Sequence, residues 1–116
     1  MQADRKQYTA TFVRSMYKKP QPEEYYEKVT AASLKTPTNT AVVLLGNLFT
    51  GGDWRGMLGK LDKPVLYAIT ARMQKQGDTL KEKVPSAKVE IFEDAGHALF
   101  VDDADRFNQV LDQFLK

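Results

Sequence analysis

Pro64-Val65-Leu66-Tyr67-Ala68-Ile69-Thr70 is a compact apolar run rich in strand formers and opened by a proline, and it reads as a buried strand. Further on, Lys88-Val89-Glu90-Ile91-Phe92-Glu93 alternates in the manner of a second strand. Between them, Met73 to Val84 is polar and Lys-rich, with Leu80 and Val84 on one face, and it predicts a helix. Two strands joined by a helix of that length form a parallel βαβ unit with a right-handed crossover. This pattern constrains the chain more than any other. A parallel sheet is normally covered on both faces, and each open strand edge invites another strand. Part of the cover follows in the sequence. Phe107, Val110, Leu111, Phe114 and Leu115 recur at helical spacing, with Asp102 or Asp103 placed to cap that final helix.

The first half has a different grammar. Tyr8, Phe12 and Met16 recur every four residues, with Val13 and Tyr17 widening the stripe, so a first helix with packed aromatics is expected. Pro22, Glu23 and Glu24 suit the start of a second helix, which Tyr25, Tyr26, Val29 and Leu34 give an apolar face. After the breaker cluster Thr36–Thr40, a strongly apolar third helix runs from Ala41 through Leu48 and Phe49, and Gly51-Gly52 ends it. Asp53-Trp54-Arg55 then caps a short helix reaching Leu61. The change near Gly51-Gly52 divides the chain into residues 1–52 and 53–116. The expected class is α/β: N-terminal helices, then a β-α-β-α unit with a short parallel sheet.

Composition removes several classes of function. Of 116 residues, 17 are Lys or Arg and 15 are Asp or Glu, so no dense basic face for nucleic acid is expected. There is no cysteine, which excludes disulfides, thiolate metal sites and a cysteine nucleophile. The polar start Met1–Lys6 has no apolar core of a signal peptide, and no apolar run approaches the roughly 20 residues of a membrane span. A cytoplasmic location is the expectation. Gly51-Gly52-Asp53-Trp54-Arg55-Gly56 matches no phosphate-loop pattern and follows a helix, so it reads as a helix stop and restart. Lys18-Lys19 and the lysines of 75–88 read as solvated faces.

The segments after Gly52 resemble the α/β-hydrolase superfamily. Asp53-Trp54-Arg55, Leu58, Leu61 and Lys63-Pro64-Val65-Leu66-Tyr67 are similar to the stretch leading into that family's penultimate strand. Val84-Pro85-Ser86-Ala87 and Phe92-Glu93-Asp94-Ala95-Gly96-His97-Ala98-Leu99-Phe100 resemble its last strand and the loop bearing its catalytic histidine. Asp105-Arg106-Phe107 with Phe114-Leu115 resembles the closing helix, and residues 4–49 are similar in kind to the lid. Only the C-terminal portion of the family fold is covered. None of the serines, Ser15, Ser33 and Ser86, lies in the G-x-S-x-G nucleophile pattern, and no oxyanion segment is found. The position after the penultimate strand, Thr70-Ala71-Arg72-Met73, carries no acid, and Asp78 falls inside the predicted helix. The resemblance therefore carries over one role only, His97 as general base.

His97 is the single histidine, and Glu93, Asp94, Asp102 and Asp103 surround it in sequence. Imidazole with carboxylates can hold a divalent metal such as zinc, so His97, Asp94, Asp102 and Asp103 form a candidate ligand set. The blander alternative makes Asp102 or Asp103 a helix cap and leaves Glu93 and Asp94 in water. A two-fold axis near His97 would double both imidazoles and carboxylates. Two strands alone leave open edges, and the third helix needs a surface to cover, so a homodimer is expected. The resulting expectation is a truncated hydrolase of activated esters or phosphoesters. Its lid would wall an apolar pocket, and its nucleophile would be water activated by a divalent metal and His97 at the dimer interface. No organic cofactor is expected. The alternative is a non-catalytic hydrolase fragment that only dimerises or complements a missing N-terminal half. A chain running from Met1 to just past its closing helix is expected to be an independent product, which favours the first.

Overall fold

A computed structural model describes residues 4–53 and 55–116. The chain divides into two compact units. One holds helices α1 (Arg5–Ser15), α2 (Glu23–Leu34) and α3 (Thr38–Thr50). The other is formed by Asp53–Lys116 together with Tyr17–Lys19, three residues that lie between α1 and α2 in sequence.

In the helical unit, the Asp4 side chain caps α1 by accepting from the Gln7 N–H at 3.2 Å. Pro22 is the N-cap of α2, and Glu23 and Glu24 occupy its first turn, where carboxylates oppose the positive helix end. Helix α1 packs on α2, and the predicted stripe is buried only in part. Val13 is fully buried and Tyr26 nearly so, whereas Tyr8 and Phe12 stack on each other while remaining about half exposed, at 45% and 54%. The Arg14 guanidinium lies 4.5 Å from the Tyr26 ring centroid and pairs with Glu23. Arg5 donates to the Thr38 hydroxyl at 2.9 Å, tying the start of α3 to α1. Helix α3 begins before Ala41, directly after Pro37, and ends at Gly51. It buries no residue, and Val43, Leu44, Leu48 and Phe49 are all exposed.

The second unit has the predicted order of elements. Helix α4 (Arg55–Leu58) stops short of Leu61 and is followed by β1 (Leu66–Thr70). Of the expected cap Asp53-Trp54-Arg55, Trp54 lies outside the described residues, and the Asp53 carboxylate accepts from the Arg55 N–H at 3.0 Å. A 3-10 turn, Ala71–Met73, leads into α5 (Gln74–Lys83), then β2 (Lys88–Phe92), the short α6 (Leu99–Asp102) and α7 (Ala104–Leu115). Strands β1 and β2 pair in parallel, with Leu66 opposite Lys88 and Thr70 opposite Phe92.

Strand periodicity sorts the two faces. Tyr67 and Val89 pack with Leu80, Val84 and Ala87 of the α5 side. Ala68 and Phe92 pack with Ala95, Leu99, Phe107 and Val110 of the α6–α7 side. The sheet is therefore covered on both faces, as parallel sheets require. Among the described residues it has two strands, so one edge of each is unpaired. Gly77 lets α5 approach closely, since a Cβ there would stand 2.9 Å from both Ile69 Cδ1 and Val89 Cγ1. No helix among the described residues is long and apolar enough to cross a membrane.

Candidate functional site

The candidate site is the loop from Glu93 to Ala98, between the C-terminal end of β2 and the start of α6. Its anchors are apolar. Ala95, Ala98 and Leu99 are all less than a tenth exposed, and they hold the loop against the Phe92 side of the sheet. His97 stands between these anchors with an exposed side chain, and no hydrogen bond or ion pair engages its imidazole among the described residues. A small pinned loop at a strand end is an economical way to present one side chain to solvent.

The second determinant is Asp102. It is the buried charged residue among those described, at 4% exposure. An isolated carboxylate at such a place would be strongly disfavoured. Here its oxygens accept three backbone N–H groups. Oδ2 takes those of Lys18 and Gly96, both at 2.7 Å, and Oδ1 takes that of Lys19 at 3.2 Å. Burial pushes the Asp102 carboxyl up, but the Lys18, Gly96 and Lys19 N–H groups, with the nearby Lys19 charge, outweigh it and hold the pKa below its ordinary value. The Lys18 ammonium adds a bond to the Glu93 carbonyl at 2.8 Å and an ion pair with Asp94 at 3.4 Å. Lys18-Lys19 is thus a strap on the histidine loop, not the freely solvated face that its charge suggests.

The four residues predicted as metal ligands take separate roles. His97 is exposed, and Asp94, also exposed, meets the Lys18 ammonium. Asp103 occupies the N-cap position of α7 without a side-chain capping bond. Asp102 caps no helix, because its carboxylate is committed to backbone N–H groups of two other segments. Among the described residues no three His, Asp or Glu side chains converge into a group that could hold a metal ion. A metal ligand at Asp102 would have to displace charge-assisted hydrogen bonds already made.

The same unit carries a pocket of about 790 Å3, lined by Leu58, Leu61, Val65, Tyr67, Met73 and Leu80 with Arg55, Arg72 and Lys75 at its polar margin. Neither His97 nor any residue of α1, α2 or α3 lines it. The expected lid-walled pocket around the histidine is therefore not this one. At its margin Arg55 forks onto Asp53 through two bonds of 2.7 Å, and that guanidinium holds the exposed Asp53 carboxyl at about 2.

No protein-family model matches the sequence, and no curated protein matches it. A comparison of structures gives a clear likeness of fold. The chain superposes on an esterase from Exiguobacterium antarcticum with a TM-score of 0.81 at 20% identity, over 97% of this chain and 43% of that one. The chain thus spans less than half the length of the esterase it matches. With 97% of this chain covered, the shared portion takes in its helices as well as its two parallel strands. The fold is the α/β fold of part of that esterase.

Proposed function

We propose that this chain is the histidine-bearing part of a hydrolase acting on activated ester and phosphoester bonds, with His97 as general base. The observation that carries this reading is the presentation of His97 itself. Its imidazole is exposed and unengaged on a loop pinned by Ala95, Ala98, Leu99 and the Asp102 bonds, on a fold shared with an esterase. An imidazole is a suitable base near neutral pH. The nucleophile has to come from elsewhere, since no serine here lies in a nucleophile elbow. In a homodimer that nucleophile is water. A divalent cation held by Asp94, Asp103 and the His97 of one copy would lower the pKa of bound water to about 7 and leave the His97 of the other copy as base. Asp102 is left out of that set because its oxygens are engaged.

The test is turnover of an activated carboxylic ester and an activated phosphate triester by wild type and His97→Ala, with and without chelator. The expected result is turnover that His97→Ala abolishes and chelation suppresses. An unchanged rate in His97→Ala refutes the base, and an unchanged rate under chelation refutes the metal.

A second reading is favoured by one observation, the 43% coverage of the esterase. In this reading the chain is inactive alone and completes a site with a separate nucleophile-bearing hydrolase half. Mixing with such a half should then produce turnover sensitive to serine-directed inhibitors, with no dependence on metal.

A further inference from the structure

The single histidine and the buried charged group of the second unit lie on one short stretch, and a single residue, Gly96, joins them. Asp102 receives the N–H of Gly96, the residue immediately before His97, at 2.7 Å. The same oxygen receives the Lys18 N–H at 2.7 Å, and its neighbour receives the Lys19 N–H at 3.2 Å. One carboxylate therefore binds both the loop at Gly96 and the Lys18–Lys19 segment, whose Lys18 lies 84 residues from Asp102 in sequence. The Lys18 ammonium closes the other end of the loop by donating to the Glu93 carbonyl at 2.8 Å. Bonds from a buried carboxylate to backbone N–H groups are stronger than neutral ones and fix direction as well as distance.

We infer that Asp102 is the positioning residue for His97, and that the Tyr17–Lys19 segment is the strap through which it does so. Helix packing alone does not call for a charge at this place. An apolar residue at the end of α6 would avoid the penalty of burying a carboxylate but would take the acceptor from the Lys18, Lys19 and Gly96 N–H groups. What the carboxylate adds is a fixed path for the backbone at Gly96, and hence for the Cα–Cβ direction of His97. Loops at functional sites otherwise open at little energetic cost. In this chain the loop is held at Glu93 and at Gly96, on either side of exposed Asp94, and by the buried Ala98 and Leu99 beyond His97. This role gains a functional meaning from the proposal that His97 is a working base, but its test does not depend on turnover.

The test uses the full chain and the fact that one histidine gives one set of imidazole signals. In wild type, native-state hydrogen exchange should show the Lys18, Lys19 and Gly96 amides protected at least tenfold and opening together. Asp102→Asn keeps the size but places an amide NH2 group among N–H donors. It should shift and broaden the His97 ring signals and speed Gly96 exchange more than tenfold, while the amides of β1 and β2 keep their protection. Lys18→Met removes only the ammonium bonds and should give a smaller change of the same kind. The inference is overturned if Lys18, Lys19 and Gly96 exchange without protection in wild type. It is equally overturned if Asp102→Asn leaves the His97 signals unmoved, or if Gly96 loses protection only in step with the strands, the mark of a merely structural residue. Should Asp102→Asn not fold, the wild-type exchange and Lys18→Met decide. If wild type shows no turnover while the exchange results hold, the functional proposal fails and the positioning assignment stands.

Discussion

Gly77 is the position where helix propensity and tertiary packing make opposite predictions. In a helix interior, Gly→Ala ordinarily stabilises by about 1 kcal/mol. The backbone at Gly77 offers no special reason for glycine, since no glycine among the described residues has a positive φ. The obstacle is space. A Cβ at this position would come to 2.9 Å from Ile69 Cδ1 and 2.9 Å from Val89 Cγ1. The Ile69 terminus can swing away, although Ile69 itself is only 4% exposed. Val89 Cγ1 cannot do so cheaply, because a β-branched side chain is stiff at χ1. Overpacking of this kind costs about 1–3 kcal/mol. Set against the propensity gain, Gly77→Ala should destabilise the second unit by about 1 kcal/mol, with a ceiling near 2 kcal/mol. For a domain of this size the melting temperature should fall by roughly 4–8 °C per kcal/mol. Urea unfolding followed by the exchange of β1 and β2 amides measures it directly. In a Val89→Ala background the same change should become neutral or stabilising, which makes the coupling visible as a double-mutant cycle. A Gly77→Ala protein more stable than wild type, with no coupling to Val89, would refute the close-approach argument.

Other outcomes follow from the same structure. Phe92→Ala should cost about 3–5 kcal/mol, because the ring is fully buried between the sheet and Phe107 and also carries the Arg106 guanidinium at 4.4 Å; thermal unfolding measures this. His97→Ala should change stability by less than about 0.5 kcal/mol while lowering any turnover by a factor of about 100 or more, since the side chain is exposed and a positioned base contributes at least that much. Asp102 sets a pH dependence: its folded pKa lies below the ordinary value, so the unfolded chain binds the proton more readily. Its stabilisation should be complete above about pH 4 and lost as pH falls through the folded value, and urea midpoints across that range should lose this component in Asp102→Asn. Light scattering at micromolar concentration should give the mass of two chains, and Leu48→Glu with Phe49→Glu should lower it if α3 takes part in the contact, because both side chains are largely exposed.

Local pattern was enough for the order of elements in the second unit. Strand β1 follows from the apolar run after Pro64, and β2 from the alternation through Phe92. Helix α7 follows from the spacing of Phe107, Val110 and Phe114, whose one apolar face matches the period of a helix. The placement of His97 on a loop after β2 follows for the same reason, because the strand before it is a local signal. Helix boundaries were less so. Helix α4 is shorter than its apolar spacing suggests, and of the stripe on α1 Val13 is the buried member while Tyr8 and Phe12 stay half exposed. Periodicity defines a face but not which part of that face meets a neighbour.

The roles of Asp102, Lys18 and Gly77 belong to the tertiary structure. Three aspartates near a histidine invite a metal reading, and nothing in their spacing reveals that one of them is buried. Asp102 differs from Asp94 and Asp103 because two backbone N–H groups from Lys18 and Lys19 reach it across more than eighty residues of sequence. Gly77 reads in sequence as a weakness of its helix, and only the sheet beneath it supplies the reason. The sequence by itself determined what each segment is, since propensity and hydrophobic period act over a few residues. The tertiary structure decided what each polar group does, because a buried charge or a close approach is defined by partners that the local sequence does not contain.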